Sequence, residues 1–222
     1  MHDRRRARRS SRVDAPASRE AIVDVCRRLY ERGLVAGHDG NVSVRLPNGL
    51  ILVTPAGISK RSLAPDDLVV VDGAGSVQGS GRPSSEIGMH LRIYERRPDT
   101  LAVVHAHPPT ATGFAVAGEG FMAPVLPEVI LQMDEVPLLR YATPGTDAVA
   151  DSIEQCLMAG HSAFLMANHG ATTLGATLTE AHQRMESLEH AARILLTARL
   201  LGRVNELSAS DVGALRGPRE GR

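Results

Sequence analysis

The sequence predicts a single α/β domain with a mixed or antiparallel sheet, and three observations carry that prediction. Two apolar runs, Leu101-Ala102-Val103-Val104 and Ala163-Phe164-Leu165-Met166-Ala167, lead into histidines and stop at proline or glycine, as strands do where the chain leaves a sheet. The pair Asn48-Gly49 between two apolar stretches is a tight-hairpin signal. Segments of helical period lie between these strands without the strict strand–helix alternation that a parallel sheet demands. A chain of 222 residues is long enough for one substantial core, and it has no internal repeat.

Residues 1 to 12 hold six arginines and one aspartate in a chain whose 25 basic and 25 acidic residues balance, so the remainder is acidic by about five charges. Residues 1–17 read as a solvated, disordered basic tail; nothing aromatic or motif-like accompanies the charge to suggest a nucleic-acid arm. From Ser18, a helix N-cap, Ile22, Val25, Cys26, Leu29 and Tyr30 recur at helical spacing up to a stop at Gly33. A glycine-rich loop, Val35 to Gly40, feeds an alternating strand, Asn41 to Leu46, and the Asn48-Gly49 turn returns the chain along Leu50 to Thr54. Leu68 to Asp72 and Ser76 to Gln78 form a second hairpin around Gly73-Ala74-Gly75. Ser85 to Arg96, capped by Ser84, places Ile87, Leu91 and Tyr94 on one helical face.

After the first histidine strand come a helical turn from Ala111 to Ala117 and a stretch of mixed character from Glu128 to Leu139. Thr146 caps a helix running to about Ala159. The second histidine strand follows, then a long helix, Leu178 to Leu201, with Leu188, Ala191, Ala192, Leu195 and Leu196 in its stripe. The domain is expected to span 18–205, with 206–222 a flexible tail.

Composition excludes several classes of function. Aromatic residues are 3% of the chain and tryptophan is absent, which argues against stacking on nucleobases. Cys26 and Cys156 are too few and too separated for a disulfide framework. No apolar run approaches the roughly 18 residues of a membrane span and the N-terminus has no hydrophobic leader, so a cytoplasmic protein without membrane or nucleic-acid partners is expected.

Alternation along a strand puts His105 and His107 on one face, close enough to share a metal ion, though histidines at such positions also occur as satisfied core residues. With His169 they make a three-imidazole set that leaves a coordination position open, the pattern of a catalytic rather than a structural metal. Glu86, in the first turn of its helix, serves either as a carboxylate facing that metal or as an N-terminal cap. His90, His182 and His190 lie among polar neighbours on helices and read as surface residues, as do His2 and His161. Gly40-Asn41, Ala56-Gly57 and Ser84-Ser85 each combine a turn or helix start with amide and hydroxyl donors, the material of a phosphate site.

The ordered set Gly40-Asn41-Val42-Ser43, Thr54-Pro55-Ala56-Gly57, Pro83-Ser84-Ser85-Glu86, His105-Ala106-His107, Tyr141-Ala142-Thr143-Pro144-Gly145-Thr146 and Asn168-His169-Gly170 resembles the class II aldolase/adducin family over residues 20 to 200. The resemblance implies an α/β/α sandwich with a central, mainly antiparallel sheet, assembled as a homotetramer with active sites at subunit interfaces. It implies zinc, with manganese an alternative, on His105, His107 and His169. Glu86 becomes the catalytic acid/base, and Gly40, Asn41, Ala56, Gly57, Ser84 and Ser85 the binding site for a sugar phosphate.

The activity implied is reversible cleavage of a ketose 1-phosphate, of the L-fuculose or 5-deoxyribulose type, into dihydroxyacetone phosphate and an aldehyde. A cation that chelates the enediolate suits this sequence better than a Schiff base, since the only lysine, Lys60, lies beside a turn. Two departures from the family's aldolases stand out. Ala56 replaces a threonine, and Ala123 to Gln132 contains no tyrosine to serve the aldehyde oxygen; Glu128 there is either a proton-transfer group or a buried structural or plain surface carboxylate. A sugar-phosphate 4-epimerase, a methylthioribulose-1-phosphate dehydratase and a non-enzymatic adducin-like scaffold are the alternatives on the same fold.

Overall fold

A computed structural model describes residues 15–120 and 123–217. The basic stretch 1–14 and the residues 121–122 and 218–222 lie outside the described residues. Seven strands form one sheet: β1 (Asn41–Arg45), β2 (Ile51–Val53), β3 (Val69–Val71), β4 (Ala102–Ala106), β5 (Leu138–Leu139), β6 (Ala163–Met166) and β7 (Gly170–Gly175). Their order is β3-β2-β1-β4-β7-β6-β5, and every pairing is antiparallel except that of β5 with β6. The mainly antiparallel sheet expected from the sequence is thus the one observed, with the Asn48-Gly49 turn joining β1 and β2.

Helices cover both faces. On one lie α1 (Pro16–Glu31), α3 (Pro109–Val116) and α7 (Leu178–Leu200), packed through Ile22, Leu29, Phe114, Met185 and Leu188 onto Val42, Val104 and Leu165. On the other lie α2 (Ile87–Arg96), α5 (Asp147–Ser152) and α6 (Glu154–Met158), packed through Met89, Ile93, Ile153 and Leu157 onto Val53, Val103 and Phe164. Strands β4 and β7 lie in the interior of the sheet and are buried along their whole length, on both faces. The catalytic histidine candidates are carried there.

Several expectations change in detail. α1 starts at Pro16, where proline's fixed φ suits the first helical turn, so Ser18 lies inside the helix. Ser84 Oγ accepts the Glu86 N–H at 3.3 Å and so caps the turn leading into α2, which begins at Ile87. The helix expected from Thr146 to Ala159 is split at Ile153, and the Thr146 hydroxyl donates back to Thr143 O at 2.7 Å. Leu196 is exposed, outside the buried stripe of α7. The segment expected as a flexible tail contains α8 (Ala209–Leu215), which has a Ser208/Asp211 capping box, packs on α4 (Pro127–Gln132), and is tied back by Arg216 to Asp134. Among the described residues, no helix is long and apolar enough to cross a membrane.

Candidate active site

β4 presents His105 on the α2 face of the sheet, paired across from Asn41 on β1 and Thr172 on β7. His107 follows two residues later, where Pro108-Pro109 ends the strand and opens α3. His169 sits in the β6–β7 hairpin behind Asn168, whose φ of 55° makes the turn. Two glycines let these pieces close. A Cβ on Gly40, which has a φ of +71°, would stand 2.7 Å from His105 O; one on Gly170 would stand 2.6 Å from both Ala106 O and the His107 ring.

The three imidazoles meet with ring centroids 4.8–5.1 Å apart, and their ligand nitrogens lie within 4.8 Å of one another. His105 Nδ1 donates to Ala171 O at 3.0 Å, which leaves the Nε2 lone pair pointing inward. That Nε2 is 3.2 Å from His107 Nε2, close to the roughly 3.3 Å between two nitrogens on one tetrahedral zinc. His107 Nδ1 lies 3.6 Å from Asp39, the carboxylate that orients its ring. Burial and the neighbouring imidazoles push His105 well below the usual histidine range and lower His107 as well, so both are held neutral, the form that ligates a metal.

Glu86, at the N-cap of α2, completes the cluster. Its carboxylate is 3.3 Å from His105 Nε2 through Oε2 and 3.4 Å from His169 Nε2 through Oε1. Oε1 is buried and has no hydrogen-bond partner, an orphaned carboxylate oxygen that a cation or a mobile proton would satisfy. The residues present therefore fit a divalent cation by charge, tautomer and spacing.

The three loops expected to hold phosphate are brought together. Ala56 N donates to Arg82 O at 3.0 Å and Pro55 bridges to Pro83, which joins the 54–57 turn to the 83–86 turn. Lys60 Nζ donates to His38 O at 3.1 Å and Ile58 O at 3.4 Å, tying the 37–41 loop alongside. Two of the expected donors are spent elsewhere, because the Ala56 N–H is bound to Arg82 and the Asn41 amide donates to Glu86 Oε2 at 2.7 Å. Gly57, with a φ of +75°, and the hydroxyls of Ser84 and Ser85 remain.

Lys60 is also a correction. It is buried and its pKa is lowered by desolvation, so the desolvation a Schiff base requires is present; access is not, since the residue is 2% exposed. Glu128 is exposed on α4.

The largest departure from the sequence reading is His90. Read as a surface residue, it is 0% exposed, one helical turn after Glu86 on the face of α2 that also carries Met89, Ile93 and Tyr94. Its Nδ1 is 2.6 Å from Ser43 Oγ and its Nε2 2.5 Å from Asn41 Oδ1. Burial pushes its pKa down to about 3. His182 is likewise buried, against Glu186. Polar neighbours along the chain misled in both cases; the spacing of Glu86, His90 and Ile93 at helical intervals was the signal that placed His90 inward.

A family model described as the class II aldolase and adducin N-terminal domain matches residues 20–196. The chain is 33% identical to a 3-oxo-tetronate 4-phosphate decarboxylase of Haemophilus influenzae over 185 residues, covering 82% of this chain and 88% of that protein. It is 34% identical to an L-fuculose phosphate aldolase of Methanococcus maripaludis over 173 residues, covering 78% and 93%. A solved L-fuculose 1-phosphate aldolase superposes with a TM-score of 0.84 at 30% identity, over 91% of this chain and 95% of that one.

Proposed function

The chain belongs to the class II aldolase and adducin family, whose similar relatives are enzymes, and on that premise we propose that it is a metal-dependent carbon–carbon lyase that releases dihydroxyacetone phosphate. The observation that carries this reading is the convergence of His105, His107 and His169 with the half-satisfied carboxylate of Glu86. An adducin-like scaffold with no chemistry to perform has no need of three converging imidazoles and an orphaned buried carboxylate oxygen.

The preferred substrate is a ketose 1-phosphate of the L-fuculose or 5-deoxyribulose type. Breaking the bond between the hydroxyl-bearing carbon next to the ketone and its outer neighbour leaves the electron pair on that carbon, delocalised into the ketone as an enediolate. A divalent cation held by the three histidines supplies the positive charge that stabilises the enediolate, zinc being favoured by neutral imidazoles and manganese by added oxygen ligands. The hydroxyl on the outer carbon loses its proton as the aldehyde forms and Glu86 returns one to the enediolate carbon, so the cleavage is proton-neutral. Gly57, Ser84 and Ser85, with the 37–41 loop beside them, hold the phosphate.

A second reading has its own support. Loss of carbon dioxide from a 3-oxo-tetronate 4-phosphate leaves the same enediolate and the same product, and it needs no residue to take the proton of a departing alcohol. The absence of tyrosine from 123–132 favours this reaction, which is the one named for the Haemophilus influenzae relative.

The test is to load metal-free protein with zinc or manganese and to measure dihydroxyacetone phosphate release from a panel of ketose 1-phosphates and from 3-oxo-tetronate 4-phosphate. The co-product, aldehyde or carbon dioxide, separates the two readings. Binding of about one metal per chain, lost in His107→Ala, is expected, with release lost in Glu86→Gln although the metal stays bound. No metal uptake would sink the proposal. A homotetramer in the cytoplasm, with neighbouring subunits completing the substrate pocket, belongs to the same reading; a monomer by light scattering would contradict the assembly.

A further inference from the structure

His90 is the buried titratable residue that the chemistry above leaves without a task. It stands in a continuous chain of side chains: Tyr94 OH lies 2.7 Å from Ser43 Oγ, Ser43 Oγ 2.6 Å from His90 Nδ1, His90 Nε2 2.5 Å from Asn41 Oδ1, and Asn41 Nδ2 2.7 Å from Glu86 Oε2. Tyr94, Ser43, His90 and Asn41 are all buried, so the chain is shielded from water that would let its members reorient.

The end groups set its direction. The Asn41 amide donates through Nδ2 to Glu86 Oε2, which turns its carbonyl to His90. A carbonyl only accepts, so His90 carries its proton on Nε2. A neutral ring then offers a lone pair at Nδ1, which takes the Ser43 hydroxyl proton, and Ser43 Oγ accepts from Tyr94. Every donor points towards Glu86. Reversing any one of them would bury two donors or two acceptors face to face, at a cost above that of the bond lost.

We infer that His90 is a positioning residue for Glu86: by holding Asn41 in one flip state, it pins carboxylate oxygen Oε2 and leaves Oε1, the oxygen without a partner, as the one that carries the proton. The inference rests on the lyase reading for what that proton does, but the chain itself is independent of it. It also assigns Asn41 to the carboxylate, where the family resemblance assigns it to phosphate, and the two roles differ kinetically. Loosening a carboxylate that acts only in proton transfer lowers kcat, whereas loosening a phosphate ligand raises KM.

The experiment uses the metal-loaded full chain and dihydroxyacetone phosphate in deuterium oxide, following exchange of the carbon-bound hydrogen, the half-reaction common to both lyase readings. His90→Leu is expected to slow exchange about 100-fold with KM within about twofold of wild type and metal content unchanged, as misplacement of a catalytic group does. His90→Gln, whose amide nitrogen reaches the Nε2 position, restores most of the rate. His90→Asn, which reaches only the Nδ1 position, does not.

Nitrogen-15 spectra of the wild-type imidazoles are expected to show His90 as the neutral Nε2–H tautomer, and this arm holds even where a variant fails to fold. An Nδ1–H tautomer, an effect confined to KM, or equal rates in the leucine and glutamine variants overturns the inference. Absence of exchange in the wild-type protein overturns the lyase reading instead, and the tautomer then decides the hydrogen-bond chain on its own.

Discussion

Replacing Glu189 tests whether the turn that carries His107 is held from the far side of the molecule. Glu189 lies on α7 at 3% exposure, and its carboxylate accepts from Thr110 N at 3.0 Å, Thr110 Oγ1 at 2.8 Å and Ala111 N at 3.0 Å. The two amides are free N–H groups at the head of α3, whose own N-cap, Pro108, has no side chain able to take them. Arg193 also donates to Glu189 at 2.7 Å, but its side chain is 58% exposed and that contact adds little.

Removing the carboxylate in Glu189→Ala strips charged hydrogen bonds worth about 1.5–3 kcal/mol and leaves the buried Ala111 N–H orphaned at about 1–3 kcal/mol, with a further few tenths from the helix dipole. Because these share one group they do not add fully, and a loss of about 3 kcal/mol is expected. Glu189→Gln keeps the shape and one acceptor but turns an NH2 against a donor, so about half that loss follows. The assay is urea denaturation of metal-free protein at fixed concentration with linear extrapolation. A loss below about 0.5 kcal/mol in Glu189→Ala would refute the reasoning, and α3 would have to be held by its packing on α7, β6 and β7.

Three further outcomes are expected. Asp39→Asn, which weakens the carboxylate at His107 Nδ1, should reduce zinc affinity about 10–100-fold in a calorimetric titration while leaving the fold intact. Gly40→Ala should destabilise the protein by about 2–3 kcal/mol in the same urea assay, because the added Cβ meets His105 O at 2.7 Å in a left-handed backbone conformation. For pH, a histidine depressed to about 3 in the fold takes up its proton in the unfolded chain near 6.5, so stability is full above 6.5 and is lost as pH falls towards 3. At pH 5.5, His90 alone should cost about 1.4 kcal/mol relative to pH 8, a difference that His90→Gln removes, while the lowered pKa values of His105 and His182 keep a residual slope in the same direction.

The strands that end in histidine, the Asn48-Gly49 hairpin, the long α7 and the three histidines that converge were legible in the sequence alone. Each of these is written locally, in a period of two or 3.6 residues, a turn dipeptide, or a pair of histidines one residue apart. Which polar groups answer one another across the sheet came from long-range packing. The β1–β4 register sets Asn41 against His105, and the packing of α2 on that face brings Glu86 and His90 to the Asn41 amide from 45 and 49 residues away. The same long-range packing spent the Ala56 N–H on Arg82, buried Lys60 between two loops and delivered Glu189 to the head of α3. A side chain's polarity can be read from its letter. Whether it meets water, a metal or a buried partner depends on which face of which element it lands on, and contacts between distant segments decide that.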